Sequence, residues 1–446
     1  MGQIPKYQYK IQKPSSLQLE NMEEEQEKII VGLDIGTTKV CAIVGRANQY
    51  GKVDILGVGK VASHGGVTRG VVSNIDKTVA AIQQAIKEAS EKSNVDIKRV
   101  QVGIAGAHIN SLQHRGMIIR NDADSEIDTE DLKKLENDMF KLAVKPGDRI
   151  IHVLPQDYTV DDEPGVVDPV GMSGVKLEGN FHIITGQITA AKNIYKCVEK
   201  SGLKVSELAL EPLASAEAVL SQEELEAGVV LVDIGGGTTD VAIFHENIIR
   251  HTAIIPYGGN IITEDIKEGC NVMKAHAELL KVKFGSALAN ELSENEIVSI
   301  PGIRGREARE ISIKNLSKII QARIEEILEL VYYEIKASNM EKKLAGGIVL
   351  TGGGSQLKHI AHLAEYVTGL DARIGYPNEH LAKGMVDEVK SPIYATSVGL
   401  VLRGLQDERK LVTMSGDHYT EPKKKIALFD KIKDWLKDEV DVADFK

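Results

Sequence analysis

An aspartate, a run of glycines and a pair of threonines occur twice in this chain. From Val229 to Phe244 it reads VVLVDIGGGTTDVAIF, an apolar run to Asp233, then Gly235, Gly236, Gly237, Thr238 and Thr239, then Asp240 and a second apolar run. Val, Ile and Thr dominate both flanks, so the stretch predicts strand, turn and strand. Glycines in such a turn let backbone N–H groups approach a ligand and point at it. The threonines add hydroxyl donors, and Asp233 offers an oxygen suited to magnesium, directly or through water. From Val31 to Gly45, VGLDIGTTKVCAIVG repeats the pattern with Asp34, Gly36, Thr37 and Thr38, two glycines shorter. An internal repeat of a phosphate turn predicts two similar domains facing each other across one nucleotide.

Two common nucleotide motifs do not fit. A dinucleotide fingerprint needs its glycines to open a helix, whereas these open the β-branched run VAIF. A P-loop needs Gly-Lys-Ser/Thr after the glycines, and the chain has none. A third glycine turn follows at Gly347–Leu357, GIVLTGGGSQL, where Gly352, Gly353 and Gly354 have no side chains to block a flat base or a ribose.

The paired hairpins resemble the actin-like ATPase superfamily, which includes actin, heat-shock chaperone ATPases and sugar kinases. The resemblance implies an α/β, ribonuclease H-like two-domain ATPase fold binding ATP and Mg2+, with the third turn against the adenosine.

Composition bounds the rest. A chain of 446 residues holds two or more domains with sizeable cores. A net charge of −11 argues against general nucleic-acid binding, which needs a basic footprint. Cys41, Cys197 and Cys270 are isolated, forming neither metal spacing nor a disulfide framework, which points to a reducing compartment. No apolar run reaches the length of a membrane span, and the N-terminus lacks a signal peptide's apolar core.

Taken in order, residues 1–27 are polar and acidic and read as a flexible arm. Residues 28–106, 186–206 and 392–406 form the first core: a hairpin, a third strand VDILGVGKVAS, an amphipathic helix Thr78–Lys92 capped near Asn74 or Asp76, a strand Val100–Ala105, and a closing helix Tyr394–Leu405. Residues 107–185 read as an inserted α+β subdomain: a strand pair in HINSLQHRGMIIR, a helix Thr129–Ala143, and the strands RIIHVLPQDYTV and NFHIITG around a Pro/Gly-rich loop. Residues 207–260 and 313–391 form the second core, with ALEPLASAEAVL ahead of the second hairpin and a long helix Ile320–Ile335; 261–312 is a second small, helix-rich block. Residues 407–422 read as a linker. In 423–440, Leu428, Phe429, Ile432, Trp435 and Leu436 lie on one side of a basic amphipathic helix, which fits interfacial membrane binding. Residues 441–446 are an acidic end that opposes anionic headgroups.

An actin-like core, that insertion and a tethered amphipathic helix resemble the FtsA family of bacterial cell-division proteins over about residues 28–440. GVGKVASHGGVTRGVV, HVLPQDYTVDD, DPVGMSGVKL, IPYGGNIITEDI and YATSVGLVL carry the resemblance beside the nucleotide turns. It implies a protein that binds ATP, polymerises and tethers the tubulin-like protein FtsZ to the inner face of the cytoplasmic membrane at the septum. The FtsZ tail would dock near 261–315, where Arg304 and Arg306 could pair with acidic groups; solvated loop charges are the other reading. Later division proteins and filament contacts would use the insertion.

The same resemblance gives residue roles. Asp34 and Asp233 would hold the magnesium shell. Gly36, Thr37, Thr38, Lys39, Gly235, Gly236, Gly237, Thr238, Thr239, Gly258, Gly259 and Asn260 would surround the phosphates. Glu278 and Lys281 would reach the ribose or base, or simply pair on a helix surface. Glu211, before Pro212, would orient attacking water or act as a slow base; a helix-start acid favoured by the dipole is the alternative. Two other readings share the turns: a small-molecule kinase on the same fold, and a pilus-assembly or MreB-like relative.

Overall fold

The computed structural model describes residues 29–414 apart from 121–124, 294, 302–306 and 383–385. The arm, Arg304, Arg306 and the expected membrane helix lie outside the described residues.

Two five-stranded sheets share one plan. In the first, Ile29–Ile35, Lys39–Ala47 and Val53–Ala62 form an antiparallel meander, and Arg99–Ile104 and then Lys204–Leu210 extend it in parallel beyond Ile29–Ile35. In the second, Val229–Ile234, Thr239–His245 and Ile248–Ile255 form the meander, and Ile348–Thr351 and Ala372–Ile374 the parallel extension. The duplicated sequence motif is therefore the visible part of a duplicated sheet. Strands fully buried along their length, such as Val229–Ile234, have no polar face and read as continuous apolar runs.

Helices cover the sheets. Ile75–Ser93 begins at Asn74, whose side chain accepts the Lys77 N–H, and buries Ala81, Ile82, Ala85 and Ala89. It lies so close to the sheet that a Cβ at Gly57 or Gly59 would strike its backbone at Ala89 or Ala85. On the opposite face, Ala395–Met414 crosses Glu211–Val219; a Cβ at Gly399 would overlap the Ala214 carbonyl. The second sheet is backed by Ile313–Ala337, whose Ile320, Ile324, Ile327, Leu328 and Val331 recur at helical spacing and are fully buried.

The insertion has its own four-stranded sheet, in the order Ile109–Ile119, Lys176–Gln187, Asp148–Val160, Glu163–Val166. Thr129–Met139 packs on it through Leu135 and Met139, against Phe181 and Leu177.

Several expectations are corrected. HINSLQHRGMIIR is one strand, not two, because Lys176–Gln187 pairs it continuously from Ile109 to Ile119. The helix after Thr129 stops at Met139. Lys204–Leu210 is an edge strand of the first sheet, so the division expected at 206/207 cuts through it. The helix-rich block contains an unforeseen hairpin, Ile297–Ile300 with Arg309–Ser312. Residues 407–414, expected as linker, continue the closing helix.

Candidate functional site

The two turns meet at the mouth of one cleft. Each turn is closed the same way: the Gly36 N–H donates to Lys39 O and the Gly235 N–H to Thr238 O, both at 2.9 Å. They touch across the lobes. A Cβ at Gly237 would stand 2.7 Å from Thr37 Oγ1, and one at Gly236 would strike the Thr38 side chain. Only glycine permits that approach. Thr37 also accepts the Gly70 N–H at 3.1 Å, drawing the tip of the 63–73 loop to the same point.

Behind the turns lies a cavity of about 730 Å³, within the range of small-molecule sites. Its wall brings together Asp34, Gly36, Thr37, Thr38, Lys39, Glu211, Asp233, Gly235, Gly236, Gly237, Thr238, Gly259 and Asn260. The far end carries Glu278, Lys281, Gly352, Gly353 and Gly354. Thr239 and Gly258 do not line it. The Thr239 hydroxyl donates to Tyr257 O at 2.9 Å, inside the second lobe. Gly258 packs behind the turn, where a Cβ would stand 2.6 Å from Gly235 O.

Of the five carboxyl groups on this wall, Asp34, Asp233, Glu211 and Asp240 fall into two electrostatic settings. Asp34 is ion-paired with Lys39. Burial works against the lysine's charge, but Asp34 and, less strongly, Glu211 hold its ammonium above the usual range. Asp233 has no cation of its own; Ser215 and Thr396 hydroxyls donate to its Oδ2 at 2.8 and 3.3 Å. Burial pushes its carboxyl up. Glu211 is raised further, first by burial and then by Asp34, Asp240 and Asp233. Asp240 is also raised, by burial and then by Asp233, and its buried Oδ1 has no hydrogen-bond partner.

Unpaired buried acids of this kind fit a cation. Among the described residues, no three His, Cys, Asp or Glu groups converge closely enough to hold a metal ion directly. The set instead suits magnesium, which keeps several waters and takes its other ligands from substrate phosphates. Asp34, Asp233 and Asp240 would reach that ion through water. At the far end Lys281 Nζ bonds Gly259 O and Thr263 Oγ1, each at 2.8 Å, and pairs with Glu278 at 2.7 Å. Glu278 and Lys281 are thus both a helix pair and part of the wall. At the third turn Gly352, with φ +81°, rests on Asp233 and Ile234 and leaves no room for a side chain.

Comparison with known proteins decides the family. Residues 230–399 match the model of Cell division protein FtsA, and residues 106–185 match the SHS2 domain inserted in FtsA. Cell division protein FtsA of Pseudomonas aeruginosa is 41% identical over 92% of this chain and 97% of its own length. The chain belongs to the FtsA family of cell-division proteins. The fold is shared more widely. A PilM–PilN type IV pilus biogenesis complex has a chain aligning at TM-score 0.61 and 16% identity, over 84% of this chain and 98% of that one. MreB5 of Spiroplasma citri bound to ADP aligns at TM-score 0.50 and 15% identity, over 88% and 100%. The alternative of a pilus-assembly or MreB-like protein therefore holds for the fold and not for the family.

Within this FtsA site, sequence reasoning missed Asp240, Lys60 and Lys358, all on the cavity wall. Asp240 carried a usable signal, since it is the first charged residue after the second turn. Lys60 lies within the strand Val53–Ala62 and Lys358 follows the third turn, with nothing local to mark either.

Proposed function

We propose that this cell-division protein binds Mg2+-ATP in the cleft, polymerises, and tethers the FtsZ ring to the cytoplasmic face of the membrane at the septum, where it recruits later division proteins. One observation carries the nucleotide reading: both acidic turns and the third glycine turn line a single cavity. The relative solved with ADP supports it.

In this reading the backbone amides of Gly236 and Gly237, with the hydroxyls of Thr37, Thr38 and Thr238, bind the phosphates, while Gly36 and Gly235, whose own N–H groups close the turns, leave room beside them. Lys39 neutralises charge beside Asp34, and Gly259 and Asn260 close the phosphate end. Asp34 and Asp233 hold the magnesium shell. Gly352, Gly353 and Gly354 take the adenosine, with Glu278 and Lys281 near the ribose or base. Glu211 orients water for a slow hydrolysis. Burial and then its acidic neighbours raise its carboxyl, the direction that makes it a stronger base.

The tether reading rests on family membership and on the basic amphipathic stretch Leu428, Phe429, Ile432, Trp435 and Leu436. No described helix is long and apolar enough to cross a membrane. Arg304 and Arg306 belong to the surface offered to the FtsZ tail, and the insertion to contacts with other copies and later partners. Pull-down of an FtsZ C-terminal peptide tests the first contact. Co-sedimentation with lipid vesicles, with and without residues 423–446, tests the second. Equal pelleting of both forms removes the tether.

A further inference from the structure

The string HVLPQ, residues 152–156, has no place on the cavity wall, yet two of its side chains leave the insertion and bond the two lobes. His152 Nε2 accepts the backbone N–H of Leu210 at 3.1 Å. Gln156 Nε2 donates to Ile249 O at 2.6 Å. Leu210 ends the edge strand of the first sheet, and Ile249 lies on the edge strand of the second. Two irregularities in the Asp148–Val160 strand aim these side chains. Its pairing skips a residue between Pro155 and Asp157, and again between Ile150 and His152. Such bulges bend a strand and redirect what it carries.

Leu210 is also the N-cap of the helix Glu211–Val219, and this N-cap has no side-chain hydrogen bond of its own. The Glu211 carboxyl lies over Gly103, where a Cβ would stand 2.8 Å from its Cγ. The cleft acid is therefore set by the strand end before it, and that strand end is held from outside the first lobe by one imidazole.

We propose that His152 is a positioning residue for Glu211, through which the insertion fixes the start of the catalytic helix, while Gln156 ties the same strand to the second lobe. The proposal rests on Glu211 holding water in the cleft. The imidazole is suited to the task. Burial, and then the Arg403 guanidinium, push its pKa down to about 3, so it stays a neutral acceptor throughout the physiological range. A movement of one lobe against the other would reach Glu211 through a single strand of the insertion.

The test uses the full-length chain with Mg2+-ATP, measuring turnover, ATP affinity and hydrogen exchange at the Leu210 amide. His152→Ala should slow turnover about tenfold, the scale of a small misplacement, with ATP affinity unchanged. Exchange at Leu210 should quicken in that variant. His152→Gln, whose Oε1 can accept the same N–H, should restore both turnover and protection. Wild-type turnover in His152→Ala overturns the proposal, as does an equal loss in both variants. Glu211→Gln is run alongside. If it turns over normally, the reading of Glu211 itself fails; the mark of that case is quickened exchange at Leu210 in His152→Ala with turnover untouched.

Discussion

The two phosphate turns share a backbone and differ in charge. In the first, Asp34 is followed by Gly36, two threonines and Lys39, and the lysine returns to pair with the acid. In the second, Asp233 is followed by three glycines, two threonines and Asp240; by strand register Thr238 stands where the first turn has Lys39, and Asp240 where it has Cys41. Asp233 is held by two neutral hydroxyls, and Asp240 Oδ1 by nothing. The first turn thus neutralises itself, and the second is left for a cation to complete. Duplication supplied the geometry, and divergence at two matched positions, Lys39 against Thr238 and Cys41 against Asp240, separated the roles.

Removing each aspartate in turn should break the symmetry most visibly. Asp233→Ala should abolish Mg2+-ATP binding, a weakening of at least about a hundredfold by calorimetry, because charge-assisted contacts are lost. Its thermal unfolding should stay near wild type, since a carboxyl already raised by burial leaves no orphaned partner of opposite charge. Asp34→Ala should behave differently. It strands the part-buried Lys39 ammonium, at less than the about 3–5 kcal/mol that breaking a fully buried pair costs. Its unfolding midpoint should fall even without nucleotide. Equal stability in the two variants would refute the division of roles.

A second contrast lies within one turn. Gly237→Ala should weaken ATP binding about tenfold, because its Cβ meets Thr37 and Arg69 of the facing lobe and forces the lobes apart. Gly235→Ala meets only Thr238 O, at 3.2 Å, and should bind nearly as wild type.

The charge difference also predicts a pH dependence. Glu211, Asp233 and Asp240 have carboxyls raised in the folded state, so the native protein binds more protons than the unfolded chain between about pH 4 and the raised values. The stability these three acids contribute must therefore fall as pH rises through that window. Buried His152 and His182, neutral in the fold, add the opposite slope below about pH 6.5, so without nucleotide the unfolding midpoint should drop between about pH 7 and pH 8. Mg2+-ATP, which favours the ionised acids, should raise the midpoint more at pH 8. A midpoint that instead rises steadily over this range would mean the acids are already compensated.

Much of this was legible because buried strands and phosphate turns write themselves locally. Val229–Ile234 is apolar but for Asp233, and the repeat of Asp-Ile-Gly and Thr-Thr located the partner sheet. The missed strands are polar or short. Ile248–Ile255 reads IIRHTAII because it is an edge whose Thr252 and Ile249 bond side chains of the insertion. Ala372–Ile374 has three residues, too few for a period. Ile297–Ile300 and Arg309–Ser312 alternate weakly because much of each strand is exposed. No turn residue separates Lys204–Leu210 from the helix after it, so the stretch Ala209–Leu220 spans the end of one and the whole of the other. The family resemblance carried what no local pattern could, the placement of the insertion.

The smallest effect expected separates two residues that sequence treats as equivalents. Thr38 and Thr239 are each the second threonine of their turn. Thr38 faces the cleft, while Thr239 is wholly buried and opens a strand, paired with Ile255. By strand register the two turns are equally long, Ile35 pairing with Val40 and Ile234 with Thr239, so Thr239 matches the strand residue Val40 and not Thr38. Thr238 is therefore the threonine of the second turn that lines the cleft, and Thr239 ties Tyr257 O to the sheet. Thr239→Val keeps the volume and removes one buried hydrogen bond, so it should cost about 1 kcal/mol of stability and leave ATP affinity unchanged. Thr38→Val should do the reverse, weakening ATP and sparing the fold. Calorimetry and thermal unfolding on the two variants decide it. A loss of affinity in Thr239→Val would return that hydroxyl to the phosphates and make the two turns equivalent after all.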